Sequence, residues 1–275
     1  MTYNDITALN ETDFKKFTGL IYSYAGIHMN ASKKALVEGR LRKRLVALEL
    51  NDYADYYKII KTDSQPNERQ RFIDLLTTNE TWFFREEKHF SFLSEKLADI
   101  PGQQPVAIWS AACSSGQEPY SLSMLMADNL TLHRPWDILA TDISTDILKA
   151  ARKGVYFKDK IKGLSKQHIH KYMLKGIRTQ ADYLAIAPEL KKKIEFRHFN
   201  LLESALPTKK FDFIFCRNVL IYFDAEHKLK VIKRLAGCLK TGGYLMTGHA
   251  ESLLGIYDEL DVVQPSIYQK MGGRK

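Results

Sequence analysis

The sequence predicts an α/β protein that begins with a small helical module, and three observations carry that expectation. Residues 11–97 place apolar side chains at the three-to-four spacing of helices. From Val106 onward, short apolar runs alternate with helical stretches, the pattern of a parallel sheet with crossover helices. Residues 155–193 break that alternation and read as an insertion.

Phe14, Phe17, Leu20, Ile21 and Tyr24 define the first helix, and Gly26 ends it. Val37, Leu41, Leu45 and Leu48 define the second. Arg40, Lys43 and Arg44 fall largely off that apolar stripe and are expected to face solvent or a partner. Tyr53, Tyr56, Tyr57 and Ile60 mark a third helix, broken by Asp63-Ser64-Gln65-Pro66. Phe72, Leu75 and Leu76 mark a fourth, and Phe90, Leu93 and Leu97 a fifth. Between the last two, residues 77–85 interleave polar groups with three consecutive aromatics, Trp82, Phe83 and Phe84. Either these aromatics cap a core, with Asn79 or Thr81 as a helix N-cap, or the loop faces a ligand with Arg85 aimed at an anion. Residues 98–105 hold two prolines and a glycine and are the expected linker, between a helical domain at 1–97 and a second domain at 106–275.

In the second domain the expected strands are Val106–Trp109, Asp137–Thr141, Ile194–Phe199, Phe211–Cys216 and Tyr244–Thr247. Helices are expected at about Tyr120–Leu130, at Thr145–Arg152, and from an Asp224 cap to Leu239. Val262-Val263 and Ile267-Tyr268 suit a closing hairpin.

Ligands of open α/β sheets bind beyond the carboxyl ends of the strands. The first strand ends in the small-residue turn Ser110-Ala111-Ala112-Cys113-Ser114-Ser115-Gly116, with Glu118 just after it. Such a turn lets a ligand approach backbone at a helix start, although a plain tight connection has the same composition. The second strand ends at Asp142, which suits the two hydroxyls of a ribose or, equally, a cap for the next helix. Strand three delivers Asn200-Leu201 and strand four Arg217-Asn218. Convergence of four strand ends favours a nucleoside site. The turn lacks the glycines that admit a pyrophosphate, and there is no phosphate-binding G-x-x-x-x-G-K-[ST] loop or G-x-S-x-G elbow. A nucleoside without phosphates, such as S-adenosylmethionine, fits best.

Bulk properties narrow the class further. With 275 residues, 45% hydrophobic and 27% charged, the chain has the composition of a soluble globular protein. No apolar run approaches the ~20 residues of a membrane span, and Met1–Asp5 has no signal-peptide character. Cys113, Cys216 and Cys238 lack disulfide or metal-ligand spacing and suit a reducing compartment. His168 and His170 flank one residue without a third ligand, so no metal site is expected. The net charge of +9 concentrates in residues 149–178, where ten basic side chains face the single Asp159. That excess suits an acidic partner or a solvated surface. It admits nucleic acid as a substrate, although only Tyr156, Phe157 and Tyr172 are there to stack bases.

Taken together, several motifs in order resemble the CheR family of chemoreceptor glutamate O-methyltransferases. They are Thr78-Asn79-x-Thr81-x-Phe83-Phe84-Arg85, Trp109 to Ser121, Ala140-Thr141-Asp142-Ile143, Asn200-Leu201-Leu202, Phe215 to Phe223 and Gly248-His249-Ala250-Glu251. The resemblance spans essentially the whole chain. It implies a Rossmann-like, class I S-adenosylmethionine-dependent methyltransferase fold, with an N-terminal all-helical domain and a small β-subdomain inserted at about 155–193. It implies cofactor contacts at Asn79, Thr81, Arg85, Glu118, Asp142, Asn200, Leu201, Arg217 and Asn218, with S-adenosylhomocysteine as product. Arg85 and Tyr222 fall in the methyl-acceptor environment, and Arg40, Lys43 and Arg44 correspond to the receptor-recognition helix. The implied partners are cytoplasmic helices of methyl-accepting chemoreceptors and, in some members, a receptor C-terminal peptide at the β-subdomain. The implied protein is a cytoplasmic monomer that neither binds nucleic acid nor inserts in membranes. Two departures from the family pattern stand out. Gln117 and Ala250 replace residues that are Glu and Ser in many members, and the loop 176–183 lacks the glycine-rich character of peptide-tethering members. A non-catalytic cofactor-binding sensor is the alternative from a different class. Tyr222 has a plainer reading too, as an aromatic packed under the sheet edge.

Overall fold

The computed structural model describes residues 6–62, 67–102, 104–130 and 134–272. The helix break at 63–66, the N-terminal residues Met1–Asp5 and Gln103 of the expected linker lie outside the described residues.

Four helices form the N-terminal module: α1 (Glu11–Ala25), α2 (Lys34–Ala47), α3 (Tyr53–Thr62) and α4 (Glu68–Leu76). Asn10 caps α1 by accepting the Asp13 N–H, and Gly26 closes it at φ 69°, where a side chain would be strained. Phe14, Phe17 and Ile21 meet Val37, Leu41 and Leu45 of α2 and Tyr56, Ile60 and Phe72 of the next two helices in one core. Each such fully buried side chain contributes about 1.5–3 kcal/mol relative to exposure.

α5 (Glu87–Asp99) is a helix where the spacing placed one, but it belongs elsewhere. Its Phe90, Leu93 and Leu97 pack with Leu122, Met126, Ile108 and Ile138 of the sheet domain. The boundary therefore falls after Leu76 rather than at 98–105. Helical periodicity reveals that a face is buried without revealing what covers it.

The sheet domain contains β1 (Val106–Ala111), α6 (Gln117–Asn129), β2 (Trp136–Asp142), α7 (Thr145–Lys153), β6 (Ile194–His198), β7 (Phe211–Cys216), α10 (Ala225–Cys238), β8 (Leu239–Thr247), β9 (Leu260–Gln264) and β10 (Ile267–Lys270). Strand order is β6-β2-β1-β7-β8-β10-β9, with β6 through β8 parallel and β10 antiparallel to both of its neighbours. Every residue of β1 is buried because successive side chains enter two different cores. Val106 and Ile108 face α5 and α6, whereas Ala107, Trp109 and Ala111 face α10. β8 starts earlier than expected. Lys240-Thr241-Gly242-Gly243 has the composition of a turn leading into the strand, but it lies inside a strand whose pairing to β7 shifts register between Phe211 and Phe213.

Residues 155–193 form β3 (Val155–Phe157), α8 (Lys166–Tyr172), β4 (Met173–Lys175), β5 (Tyr183–Ile186) and α9 (Pro188–Lys191). The three strands make a separate antiparallel sheet of order β3-β5-β4. Tyr156 of β3 donates its hydroxyl to the Ser115 carbonyl at 2.7 Å, tying this subdomain to the turn after β1. Among the described residues, no helix is long and apolar enough to cross a membrane.

Candidate active site at the strand ends

β1 has β2 on one side and β7 on the other, so the chain leaves it at the point where strand order reverses. The turn beyond β1 is held in a costly shape. Ala112 and Ser114 both have positive φ, 74° and 50°, each costing roughly 1–2 kcal/mol for a residue with a side chain. Backbone hydrogen bonds compensate. The Ala112 and Cys113 N–H groups both donate to the Thr141 carbonyl at 2.8 Å, and the Ser114 N–H donates to Asp142 Oδ2 at 2.8 Å. Asn218 also has positive φ, at 58°, so strained residues from two separate segments gather at one place.

That place is a cavity of about 280 Å³, close to the roughly 300 Å³ at which small-molecule sites begin. Its lining includes Asn79, Thr81, Arg85, Glu118, Asp142, Asn200, Leu201, Arg217, Asn218 and Tyr222, every residue expected to contact cofactor or acceptor. The helical module roofs it with Ile27, His28, Met29 and Arg40. The module is fastened to the sheet rim by Asn200 Nδ2 to the Tyr24 carbonyl (2.8 Å), the His28 N–H to the Tyr222 carbonyl (2.9 Å) and Gln70 Nε2 to the Ile143 carbonyl (2.8 Å).

Asp142 is nearly buried and accepts one N–H on each oxygen, from Ser114 and from Ser144 at 2.9 Å. Burial pushes its carboxyl up, against the pull of those N–H groups. The α7 N-cap is Ser144, not Asp142, so each Asp142 oxygen retains an acceptor lone pair. Asn79 and Thr81 cap no helix. The α5 N-cap is Glu86, without a side-chain capping bond.

Arg217 is the electrostatic hub. Its Nη1 donates to Glu118 Oε2 at 2.9 Å, its Nη2 lies 3.1 Å from Glu86 Oε2 and donates to the Arg85 carbonyl, and its side chain is 2% exposed. Ser110 donates to the other Glu118 oxygen at 2.6 Å. Burial opposes ionisation of Glu86, but Arg217 and Asn218 outweigh it and hold its carboxyl below the usual range. Asn218 donates its side-chain amide to Glu86 Oε1 and its backbone N–H to Glu251 Oε2, the latter at 2.7 Å. Neither Glu86 nor Glu251 was expected as a functional residue. Their partners lie far along the chain, and the sole sequence signal was Glu251's place in the Gly248-His249-Ala250-Glu251 motif.

Arg85 stacks its guanidinium over Trp82 at 4.3 Å and donates to the Glu80 carbonyl at 3.0 Å. Tyr222 is half-buried, and among the described residues its hydroxyl has no hydrogen-bond partner.

Arg40, Lys43 and Arg44 do not face outward as a set, and that expectation is corrected. Arg40 donates to the Leu76 and Thr77 carbonyls, both at 2.9 Å, and lines the cavity. Arg44 forks onto buried Glu68 at 2.8 and 2.6 Å, and Tyr56 donates to the same carboxylate. Lys43 alone is exposed. A helical wheel places all three off the apolar stripe but does not show that α4 presents a carboxylate and its last carbonyls to the same face.

The family description "CheR methyltransferase, SAM binding domain" matches residues 79–268, and "CheR methyltransferase, all-alpha domain" matches residues 12–77. The chemotaxis protein methyltransferase of Salmonella typhimurium is 37% identical over 263 residues, covering 95% of this chain and 91% of that one. The Escherichia coli protein of the same description is 38% identical, with 89% and 86% covered. Chemotaxis protein methyltransferase 1 of Pseudomonas aeruginosa is 39% identical, with 92% and 95% covered.

Proposed function

The chain belongs to the CheR methyltransferase family, and from that premise we propose that it transfers the methyl group of S-adenosylmethionine to glutamate side chains of chemoreceptors, as methyl esters. One observation carries the reading: four strand ends and the 79–85 segment meet around one cavity that the helical module closes.

The residues present fit the cofactor. Asp142 keeps an acceptor site on each oxygen for the two hydroxyls of a ribose. Ile143, Phe199 and Leu201 offer an apolar wall to a base, and Glu118 offers negative charge to an amino group. When bound, S-adenosylmethionine supplies a methyl group activated by a sulfonium.

The chain's own task is alignment. A glutamate side chain, with an ordinary pKa of about 4.3, is already a nucleophilic carboxylate at neutral pH, so no general base is needed. Lys33, Arg40 and Arg85 line the cavity with positive charge that draws the carboxylate in. Arg85 and the unpartnered hydroxyl of Tyr222 orient the acceptor or the methionine end of the cofactor. Trp82, Met29 and Phe223 exclude water that would otherwise solvate the nucleophile.

The partners we propose are the cytoplasmic helices of chemoreceptors, so the protein acts in the cytoplasm, with Lys43 and the rim around α2 meeting the receptor. The β-subdomain leaves Val155, Phe157 and Leu174 exposed on its two outer strands, where a receptor C-terminal peptide would add its own contact. The test is incubation with methyl-labelled cofactor and receptor-containing membranes. Label that alkali releases from receptor as methanol supports the reading. No transfer, or label stable to alkali, refutes it.

A further inference from the structure

Behind Arg217, on the side away from Glu118, lies a cluster that the methyl-transfer scheme does not use. Glu86 and His89 stand three residues apart at the start of α5, and His249 reaches them from the loop after β8. We propose that Glu86, His89 and His249 form a binding site for a divalent transition-metal ion of the zinc class, adjoining the cofactor cavity.

The first reason is an orphaned lone pair. His89 is 1% exposed, and its Nδ1 has no hydrogen-bond partner. The hydrogen-bond pattern fixes its tautomer. Ser266 Oγ donates to the Pro265 carbonyl at 2.6 Å, so at the 2.8 Å contact between His89 Nε2 and Ser266 Oγ the imidazole is the donor. Nδ1 then carries a bare lone pair, 3.5 Å from Glu86 Oε2. Arg217 meets this Glu86 oxygen from one side but does not reach the His89 lone pair, which leaves a place for a second cation between the two donors.

The second reason is geometry. His249 Nε2 lies 3.9 Å from the same Glu86 oxygen, and the ligating atoms of all three residues fall within 4.8 Å of one another. A tetrahedral ion with bonds near 2.0–2.1 Å wants its ligands about 3.3 Å apart, so the cluster must close slightly. His249 is the residue free to move, since its side chain is 53% exposed and its ring rests edge-on against His89 at 5.3 Å. Two imidazoles and one carboxylate suit zinc, copper, nickel or iron rather than calcium or magnesium, which take oxygen ligands. The exposed side of His249 leaves the fourth position to solvent.

The third reason is charge. Glu86 and Glu118 face a single guanidinium, that of Arg217. Two carboxylates thus share one positive charge beside the cluster. Glu86 takes the left-handed conformation at φ 59° and makes no capping bond; its carboxylate instead meets Arg217 and Asn218 on one side and this cluster on the other. Sequence spacing alone did not point here, because the third ligand lies far along the chain.

The test is a calorimetric titration of zinc chloride into the full chain after chelator treatment, repeated with cobalt(II) and read by visible absorption. One equivalent of zinc should bind, with a cobalt band typical of nitrogen and oxygen ligands. His249→Ala should weaken binding roughly tenfold or more. Because His249 is exposed, unchanged circular dichroism of that variant separates loss of a ligand from misfolding. His170→Ala, at an exposed histidine elsewhere, should bind as the parent does. Absence of binding by the parent, or equal affinity in the parent and His249→Ala, overturns the proposal.

Discussion

Replacing Asp142 by asparagine keeps the shape of the side chain and changes only what it accepts. In the folded chain its two oxygens hold the Ser114 and Ser144 N–H groups at 2.8 and 2.9 Å. Asparagine offers one carbonyl oxygen and one NH2, so one of those N–H groups faces a donor. A buried donor left unsatisfied costs about 1–3 kcal/mol, and the folded state should weaken by that amount. Cofactor binding should weaken for a second reason. A carboxylate that accepts both ribose hydroxyls makes two charge-assisted bonds of about 1.5–3 kcal/mol each. Asparagine retains at most one of them, and as a neutral acceptor. A loss of about 2–3 kcal/mol corresponds to roughly 30–150-fold in Kd. Titration calorimetry with S-adenosylhomocysteine reads the second effect, and denaturant unfolding reads the first. If stability falls by about 1–3 kcal/mol while Kd stays within about threefold, Asp142 is only a strut between the β1 turn and α7. The ribose assignment then fails.

Tyr222→Phe removes a hydroxyl that bonds nothing among the described residues, so unfolding free energy should hold. Turnover should fall by roughly 10–150-fold, the worth of one hydrogen bond to a charged group, and full turnover would remove Tyr222 from the chemistry. Arg44→Met leaves Glu68 buried without its cation and should cost about 3 kcal/mol, the low end for a broken buried pair, because Arg44 is still 17% exposed. Burial opposes Glu68 ionisation, yet Arg44 and Tyr56 hold its folded pKa below the usual value. The unfolded chain therefore binds more protons between the two pKa values. The stabilisation is present above about pH 4.3 and is lost as pH falls through the folded value. The gap between parent and Arg44→Met in urea unfolding should shrink over that window; a gap independent of pH would contradict the ion-pair account. Lys43→Ala should raise the receptor KM by a few-fold, in keeping with about 0.2–1 kcal/mol for an exposed charge, with melting temperature unchanged. An unchanged KM would take Lys43 out of the receptor contact.

Much of this architecture was legible because its signals are local. The Phe14–Ile21 face, closed by Gly26, needs only helical period and one residue tolerant of positive φ. β1, β2 and β7 read as mostly apolar runs because both sheet faces are covered. Their last residues then led to the cavity lining, since a ligand has only strand ends to meet. What stayed hidden depends on long-range partners. α5 is an unmistakable amphipathic helix, but its spacing says nothing about whether α4 or α6 covers it. The prolines at 101 and 105 suggested a boundary that the packing places after Leu76. Arg40 and Arg44 looked like a free basic face because Glu68 and the Leu76 and Thr77 carbonyls arrive from another helix. Glu86 and Glu251 acquire meaning only once Arg217 and the Asn218 N–H lie beside them.

A crystal structure of the chain with S-adenosylhomocysteine tests the central claim most directly. The account expects the ribose hydroxyls within hydrogen-bond distance of Asp142, the base against Phe199 and Leu201, and the sulfur turned toward Arg85 and Tyr222. Density for the ligand elsewhere, or a ribose held away from Asp142 while that carboxylate keeps only the Ser114 and Ser144 N–H groups, would contradict it.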